Sequence, residues 1–423
     1  MSHQRIIVGL DLGSSRIRIA MGQIIATPDR GTSLSVIGAV EQESHGFSKG
    51  IVTALEDAVA AMSAGLESAE RQVGVPLEEA IVGIGGTHVT VSEAKGVVGV
   101  SRTDGEIRPE DVERVLEAAR GTANPANHEI LHVLPHGFVV DGQVGIKDPV
   151  GMHGIRLEAT AHLVLGLAGN VRNVTKAVFR TGLNITELVF GPLASAETVT
   201  NARERELGVC VVNIGASTTS VTMYEEGELL HAVVLPIGAD HITSDIAIGL
   251  RSSLEVAEAI KLQHGTAVPE QVGKREEVDL AEFGADVSEL IPLRYVSEII
   301  GARAEEIFDK VEQELRTIDR SGLLPAGVIL TGGGAKLPGL VDVAKRTLRL
   351  PSSIGAATHL ATPMPELVHD PAFSAAVGLV QWGYEDMRRS GERGSSSGKM
   401  RSGGAAFGKV GEQLKKVFRS FVP

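Results

Sequence analysis

The chain has 423 residues, too many for one ordinary core, so two or more domains are expected. With 43% apolar residues, fifty glycines and only 3% aromatics, it reads as a globular protein whose core is built from Val, Ile, Leu and Ala. The single Cys210 excludes a disulfide framework, the acidic net charge of −13 argues against nucleic acid as a main partner, and no apolar run is long enough to span a bilayer. The polar N-terminus leads straight into a strand-like segment and offers no signal peptide.

Taken in chain order, Arg5–Leu10, Arg16–Ile25 and Leu34–Glu41 carry strand-like patterns. Leu55–Val73 has helical spacing and stops near Gly74 and Pro76. Glu110–Arg120 reads as a helix opened by Arg108-Pro109, His128–Val140 as β-rich, and Val171–Thr181 as a helix. Val209–Tyr224 has a hairpin pattern. Leu254–His264 and Tyr295–Ile318 read as helices with charged outer faces. Val328–Leu330 is a short buried strand, followed by a glycine run and the helix Leu340–Leu348. This alternation predicts an α/β protein. Residues 385–406 read as a Gly/Ser/Arg-rich linker, after which helical periodicity returns.

One internal repeat organises the whole. IVGLDLGSSRIRIAM (Ile7–Met21) and VCVVNIGASTTSVTM (Val209–Met223) align at an offset of 202, with Asp11 on Asn213 and Gly13 on Gly215. Each copy is an apolar strand, a polar residue, a turn of small residues and a second alternating strand. Two such units predict a duplicated body with a cleft between its halves.

Turns of this composition let backbone N–H groups converge on an anion with little side chain in the way. Gly13, Ser14 and Ser15 on one side, and Gly215, Ala216, Ser217 and Thr218 on the other, are therefore candidate phosphate ligands. Asp11 can orient water around Mg²⁺, a cation that prefers oxygen ligands and keeps several waters. A third cluster, Gly332, Gly333 and Gly334 with Lys336, lies between a strand and a helix and allows close approach of a flat adenosine. Glu258 and Lys261, three residues apart on one helix, face the same way and are candidates for gripping ribose and base; an exposed ion pair is the competing reading.

Three other features are decoys. His128-Glu129-Ile130-Leu131-His132 matches the zincin spacing, but that chemistry needs a helix. On a strand, residues four apart are separated by about 13 Å, too far to share a zinc ion at about 2 Å from each. Gly394–Lys399 has the wrong spacing for a P-loop, with no strand before it. Cys210 sits in an apolar strand and reads as core.

The tail has its own logic. From Arg388 to Pro423 there are nine Lys/Arg against two Glu, a charge of +7 that leaves −20 on the remainder. Phe407, Val410, Leu414, Val417, Phe418, Phe421 and Val422 fall on one helical stripe, with Lys409, Lys415, Lys416 and Arg419 outside it. Such a helix can lie in a lipid interface with its basic residues among anionic headgroups. Docking on its own domain is the competing reading, which the preceding linker disfavours.

With two phosphate hairpins and an adenosine glycine motif, the chain resembles the actin, heat-shock chaperone and sugar kinase superfamily. Within it, the chain is similar to the FtsA family of bacterial cell-division proteins. The stretches that carry the likeness are GLDLGSSRIRI (Gly9–Ile19), IKDPVGMHGIRLEATAHLV (Ile146–Val164), ERELGVCVVNIG (Glu204–Gly215), VLPIGADHITSDIA (Val234–Ala247), EAIKLQHG (Glu258–Gly265) and GVILTGGGAKLPGL (Gly327–Leu340), in the family's order across about residues 5–384. The resemblance implies an actin-like, two-lobed ATP-binding fold with a C-terminal amphipathic helix. The first lobe would comprise 4–84, 163–203 and 356–384, with an FtsA-type inserted subdomain at 85–162. The second lobe would comprise 204–255 and 317–355, with its smaller subdomain at 256–316; 385–406 would be the linker and 407–423 the membrane-targeting helix. The resemblance also adds Gly238 to the nucleotide contacts.

The resemblance further implies a peripheral protein on the cytoplasmic face of the inner membrane at the division site. There it would form head-to-tail filaments with itself, tether the tubulin-like FtsZ and recruit later division proteins. Arg294, in IPLRY, is the expected FtsZ contact. The same fold also serves chaperone-type ATPases, small-molecule kinases and pilus-assembly adaptors; the VGMHGIR block and the terminal helix favour FtsA.

The sequence departs from the superfamily pattern at three places. The second hairpin has Asn213 where Asp is usual and Ser220 where another acid is frequent. Gly191-Pro192 stands where chaperone ATPases carry an acid before proline. Asn accepts a hydrogen bond but brings no charge. Metal-bound water is then held less firmly and no base positions the attacking water. The expectation is a protein that binds ATP but hydrolyses it slowly or not at all.

Overall fold

In the computed structural model the chain is described over residues 6–27, 31–101, 104–122 and 126–396. Two five-stranded sheets form its frame. The first runs in the order Asn184–Phe190, Glu79–Ile84, Ile6–Leu12, Arg16–Thr27, Gly31–Glu43. Ile6–Leu12 pairs parallel with Glu79–Ile84 on one side and antiparallel with Arg16–Thr27 on the other. The second sheet runs Ser352–Ile354, Gly327–Thr331, Val209–Ile214, Thr219–Glu225, Glu228–Leu235, with the same pattern of parallel and antiparallel neighbours. The repeat in the sequence is thus a repeat of topology.

Each hairpin pairs an apolar run buried on both faces with a strand of alternating pattern. Leu10, Ile17, Ile19 and Met21 in the first, and Cys210, Val212, Val221 and Met223 in the second, are fully buried and point into separate cores. Burial of Cys210 pushes its thiol pKa up, away from thiolate chemistry. Those cores are mainly aliphatic, as the shortage of aromatics requires; Phe190, Phe308 and Phe373 are the bulky exceptions.

A separate antiparallel sheet has the order Val89–Gly99, Arg156–Leu167, His128–Val140, Gln143–Ile146. The helix Pro109–Thr122 buries Val112, Val115, Leu116 and Ala119 in the core it shares with this sheet. Leu254–His264 and the long Leu293–Thr317 pack in the second lobe's core, beside a two-stranded ribbon of Glu277–Asp279 and Leu290–Pro292.

The helix Ser374–Ser396 crosses the first lobe against Gly191–Val199 and the first strand. It runs through 385–396, where the composition had suggested linker. Its hold on the body explains the extension. The Tyr384 hydroxyl donates to the Thr32 carbonyl at 2.7 Å and Met387 packs against the same core, so each further turn is added to an anchored helix. The amphipathic stripe read at 407–423, including Phe407, Val410, Leu414, Lys415, Val417, Phe418 and Phe421, lies outside the described residues, as do residues 397–406 and the decoy's Lys399.

Candidate functional site

The two hairpin turns meet. The Ser217 hydroxyl donates to Ser14 Oγ at 2.7 Å, and the Lys49 N–H reaches both oxygens, at 3.0 and 3.2 Å. Each turn is braced from behind. The Ser44 hydroxyl donates to the Gly13 carbonyl at 2.8 Å, and the Ser44 N–H to the Ser15 carbonyl at 3.0 Å. In the second turn the Gly215 N–H donates to the Thr218 carbonyl at 2.9 Å. The Gly215 and Ala216 carbonyls accept from Ala239 and Asp240. Gly238 permits that brace, since a Cβ there would sit 2.5 Å from the Ala216 carbonyl oxygen.

A cleft opens between the turns, lined by Asp11, Gly13, Ser14 and Ser15 from the first and by Asn213, Gly215, Ala216, Ser217 and Thr218 from the second. Gly332 and Gly333 close a third side. Gly332 has a φ of +86°, and a Cβ on it would lie 2.3 Å from Asn213 Oδ1, so both conformation and space demand glycine. Of the other predicted positions, Gly238, Gly334, Lys336, Glu258 and Lys261 lie outside this lining. Lys336 pairs with Asp370 at 2.6 Å. Lys261 is buried, 2.5 Å from Glu258 and donating to Thr243 Oγ1 at 2.7 Å, behind the Gly238–Asp240 backbone that supports the second turn. Arg294 is half-exposed, 3.5 Å from Glu298 on its own helix.

The three departures from the superfamily pattern all face the cleft: Asn213, Ser220 and Gly191-Pro192 line it. Asp11 is the one carboxylate among the described lining residues. Burial pushes the Asp11 pKa up, and the Arg18 guanidinium, its direct cross-strand neighbour, pulls it back.

Several lining groups were not legible as motifs. Gly50 lies on Gly85 and Gly86, a backbone-on-backbone contact that a Cβ at Gly50 would break at 2.0 Å from the Gly85 carbonyl oxygen. The run Gly83–Gly86 at the end of a strand was the available signal. Arg18 was hidden by strand alternation. Its Nε is buried without a hydrogen-bond partner, and Nη2 is 2.7 Å from Glu41.

The cleft encloses about 120 Å³, against the roughly 300 Å³ at the small end of ligand sites, because the serine bridge draws the turns together. A nucleotide would have to part them. A larger hollow of about 420 Å³ opens at the other end of the first sheet, beneath Gly383 and Met387, without convergent hydroxyls or glycine turns. The HExxH stretch is strand, as its apolar composition required. His132 accepts the Phe190 N–H at 2.9 Å, and among the described residues no three potential ligands group around a metal position.

Known proteins match along nearly the whole chain. The family model for the cell division protein FtsA matches residues 210–378, and that for the SHS2 domain inserted in FtsA matches 86–165. The FtsA of Pseudomonas aeruginosa is 34% identical over 97% of this chain and 97% of its own. That of Bacillus subtilis is 34% identical over 93% and 87%, and that of Escherichia coli K12 33% identical over 90% and 91%. In three dimensions the chain is similar to the structure of a PilM-PilN type IV pilus biogenesis complex (TM-score 0.64, 18% identity, 90% of this chain and 98% of that one). It is also similar to MreB5 of Spiroplasma citri bound to ADP (TM-score 0.53, 12% identity, 92% and 98%). At these identities the structural likeness establishes an actin-like fold.

Proposed function

The chain belongs to the FtsA family of cell division proteins, and from that premise we propose that it is an ATP-binding scaffold that fastens FtsZ filaments to the inner face of the cell membrane. The observation that carries this reading is the convergence of two topologically equivalent hairpin turns on one glycine-walled cleft.

The residues fit a nucleotide. The turns around Gly13 and Gly215 offer backbone N–H groups to phosphates, Ser14 and Ser217 offer hydroxyls once their mutual bond opens, and Gly333, with no atom nearer than 3.7 Å to where its Cβ would be, leaves room for adenosine, while Gly332 lets Asn213 pack against the backbone. The orphaned Arg18 Nε awaits an acceptor. Asp11 is the carboxylate placed to hold Mg²⁺-bound water, and Mg²⁺ would supply charge neutralisation at the phosphates. Glu258, Lys261 and Gly238 support the second turn from behind. Asn213 and Ser220 orient by hydrogen bonding without providing a base, so bound ATP persists and serves assembly more than turnover.

The rest of the reading is built on the family and the sequence. Head-to-tail association would give an open filament through a heterologous contact. The helix at 407–423 would lie in an anionic lipid surface, and a filament would multiply that weak anchor by multivalency. The division of the body at 84/85, 162/163, 203/204, 255/256, 316/317 and 355/356 belongs to this proposal, with Arg294 on the face offered to FtsZ and later division proteins joining the assembled filament. No helix among the described residues is long and apolar enough to cross a membrane.

Co-sedimentation with vesicles containing anionic lipid, in ATP and with FtsZ present, tests the tether. The full chain should pellet and carry FtsZ with it; the chain lacking 408–423 should leave both in the supernatant. A truncated chain that still brings FtsZ down with lipid would refute the membrane role of the tail.

A further inference from the structure

The separate antiparallel sheet is held by both five-stranded sheets. Its chain enters from Glu79–Ile84 of the first sheet and leaves into the helix Ala168–Arg180, which packs in that sheet's core. His132 accepts the N–H of Phe190, the last residue of the first sheet's strand Asn184–Phe190, at 2.9 Å. The other attachment is to the second sheet: Phe138, Val140 and Leu157 share one core with Tyr224, Leu229 and Val234.

Two directional contacts stand at the edge of that apolar seat. Lys147 Nζ donates to the Glu226 carbonyl at 2.7 Å and lies 3.5 Å from Glu206 Oε1. His136 Nδ1 lies 3.3 Å from Glu228 Oε2, an ion-pair distance without hydrogen-bond alignment. Both reach the turn Glu226-Gly227, whose φ values of +55° and +83° and flanking Glu225–Glu228 pair make it a tight two-residue hairpin turn. That turn is a fixed post. Its Glu226 and Gly227 N–H groups donate to the Glu206 and Arg205 carbonyls at 3.1 Å, and Arg320 pairs with Glu225 at 2.7 Å.

The charges around His136 favour the hold. Glu226 and Glu228 face it from the second sheet and Glu93 from its own, where Lys95 lies 3.7 Å from Glu93. Glu228 above all keeps the His136 pKa raised. His231, on the same strand as Glu228, is paired with Glu314 at 2.9 Å. The His162 ring centre is 4.9 Å from that of His136. Burial pushes the His162 pKa down to about 4, so near neutral pH its ring carries no charge to oppose one on His136.

Apolar contact is non-directional and tolerates sliding, whereas charge-assisted contacts at its edge fix position. The two phosphate turns ride on different sheets, 13–15 on the first and 215–218 on the second, so parting them moves one sheet against the other. A third body gripping both sheets resists that motion. We propose that the inserted sheet is a strap across the cleft, with Lys147 and His136 as its catch on the Glu226-Gly227 turn, and that the catch must let go before the phosphate turns part. The inference rests on the nucleotide reading of the cleft for its purpose and names what controls the opening.

Alkylation of Ser217→Cys in the full chain, without nucleotide, reads the parting of the turns. The side chain there lies against Ser14 and the Lys49 N–H while they are together, and the buried Cys210 does not compete. Adding Lys147→Met, or His136→Gln, should raise the rate about three- to fivefold at about pH 6.5, the scale of a partly exposed charged contact. The attraction of charged His136 is present below its raised pKa and lost as pH climbs through it. The His136→Gln rate relative to its parent should therefore shrink toward one by about pH 8.5, while the Lys147→Met ratio persists. A His136→Gln ratio that stays high at both pH values means loosened packing and counts against the proposal. Melting shows which variants are folded; if Lys147→Met is not, Glu228→Gln takes its place with the same expected rise at about pH 6.5. Rates equal to the parent's in every folded variant overturn the strap. Because the readout uses no nucleotide, that failure leaves the ATP reading standing, and a chain that binds no ATP overturns that reading alone.

Discussion

At Asn213 the second hairpin presents a side-chain carbonyl where the repeat's first copy has the carboxylate of Asp11, and the structure puts that position on the cleft wall against Gly332. The position was legible because the repeat aligns it with Asp11. Arg18 was not, because alternation alone does not say which residue stands across the ladder from an acid. His132 is a different case of position deciding chemistry. Buried between Phe190 and Trp382, its imidazole pKa is pushed down to about 4 by desolvation. The unfolded chain, near 6.5, takes up the proton first as pH falls. The stability that the neutral ring represents is therefore complete above about pH 6.5 and is lost progressively down to about pH 4, about 2 kcal/mol of it by pH 5. His162, also pushed down to about 4, acts in the same window. Thermal melting should thus fall from pH 7 to pH 5, and His132→Gln, which keeps an acceptor for the Phe190 N–H, should fall less steeply. Parallel slopes would show that His132 does not carry the effect.

Among elements, the hairpins were readable because alternation and repetition reinforce each other. The parallel strands beside the first, Glu79–Ile84 and Asn184–Phe190, were not, since a short apolar run has no period to betray it. The helix at Ser374–Ser396 outlasted its composition because tertiary anchors at Tyr384 and Met387 override Gly and Ser. The hairpins' contact makes a mechanical prediction. With Ser14 and Ser217 2.7 Å apart through their hydroxyls, Ser14→Cys with Ser217→Cys should form a disulfide readily under mild oxidation. The buried Cys210 does not compete. Saturating ATP should slow that reaction several-fold by parting the turns. An unchanged rate would mean that the nucleotide does not enter between them.

For the molecule as a whole, the fold and the family were legible because six stretches stand in order along the chain and the duplicated sheets follow from one repeat. The way the cleft closes was not, because the Ser14–Ser217 bridge joins residues 203 apart and depends on how the two halves meet. The charge of the whole has the same two-part character: an acidic body, and a basic tail suited to an anionic surface. The central claim is that ATP in this cleft is a ligand for assembly on the membrane, held rather than spent. Single-turnover hydrolysis on anionic vesicles, comparing the natural chain with Asn213→Asp, tests it most directly. Bound ATP should remain intact over minutes in the natural chain, and the substitution should speed cleavage about tenfold or more. Cleavage by the natural chain well above about one turnover per minute, where kinases run at roughly 1–100 s⁻¹, would contradict the account and make nucleotide turnover part of how the assembly is taken apart.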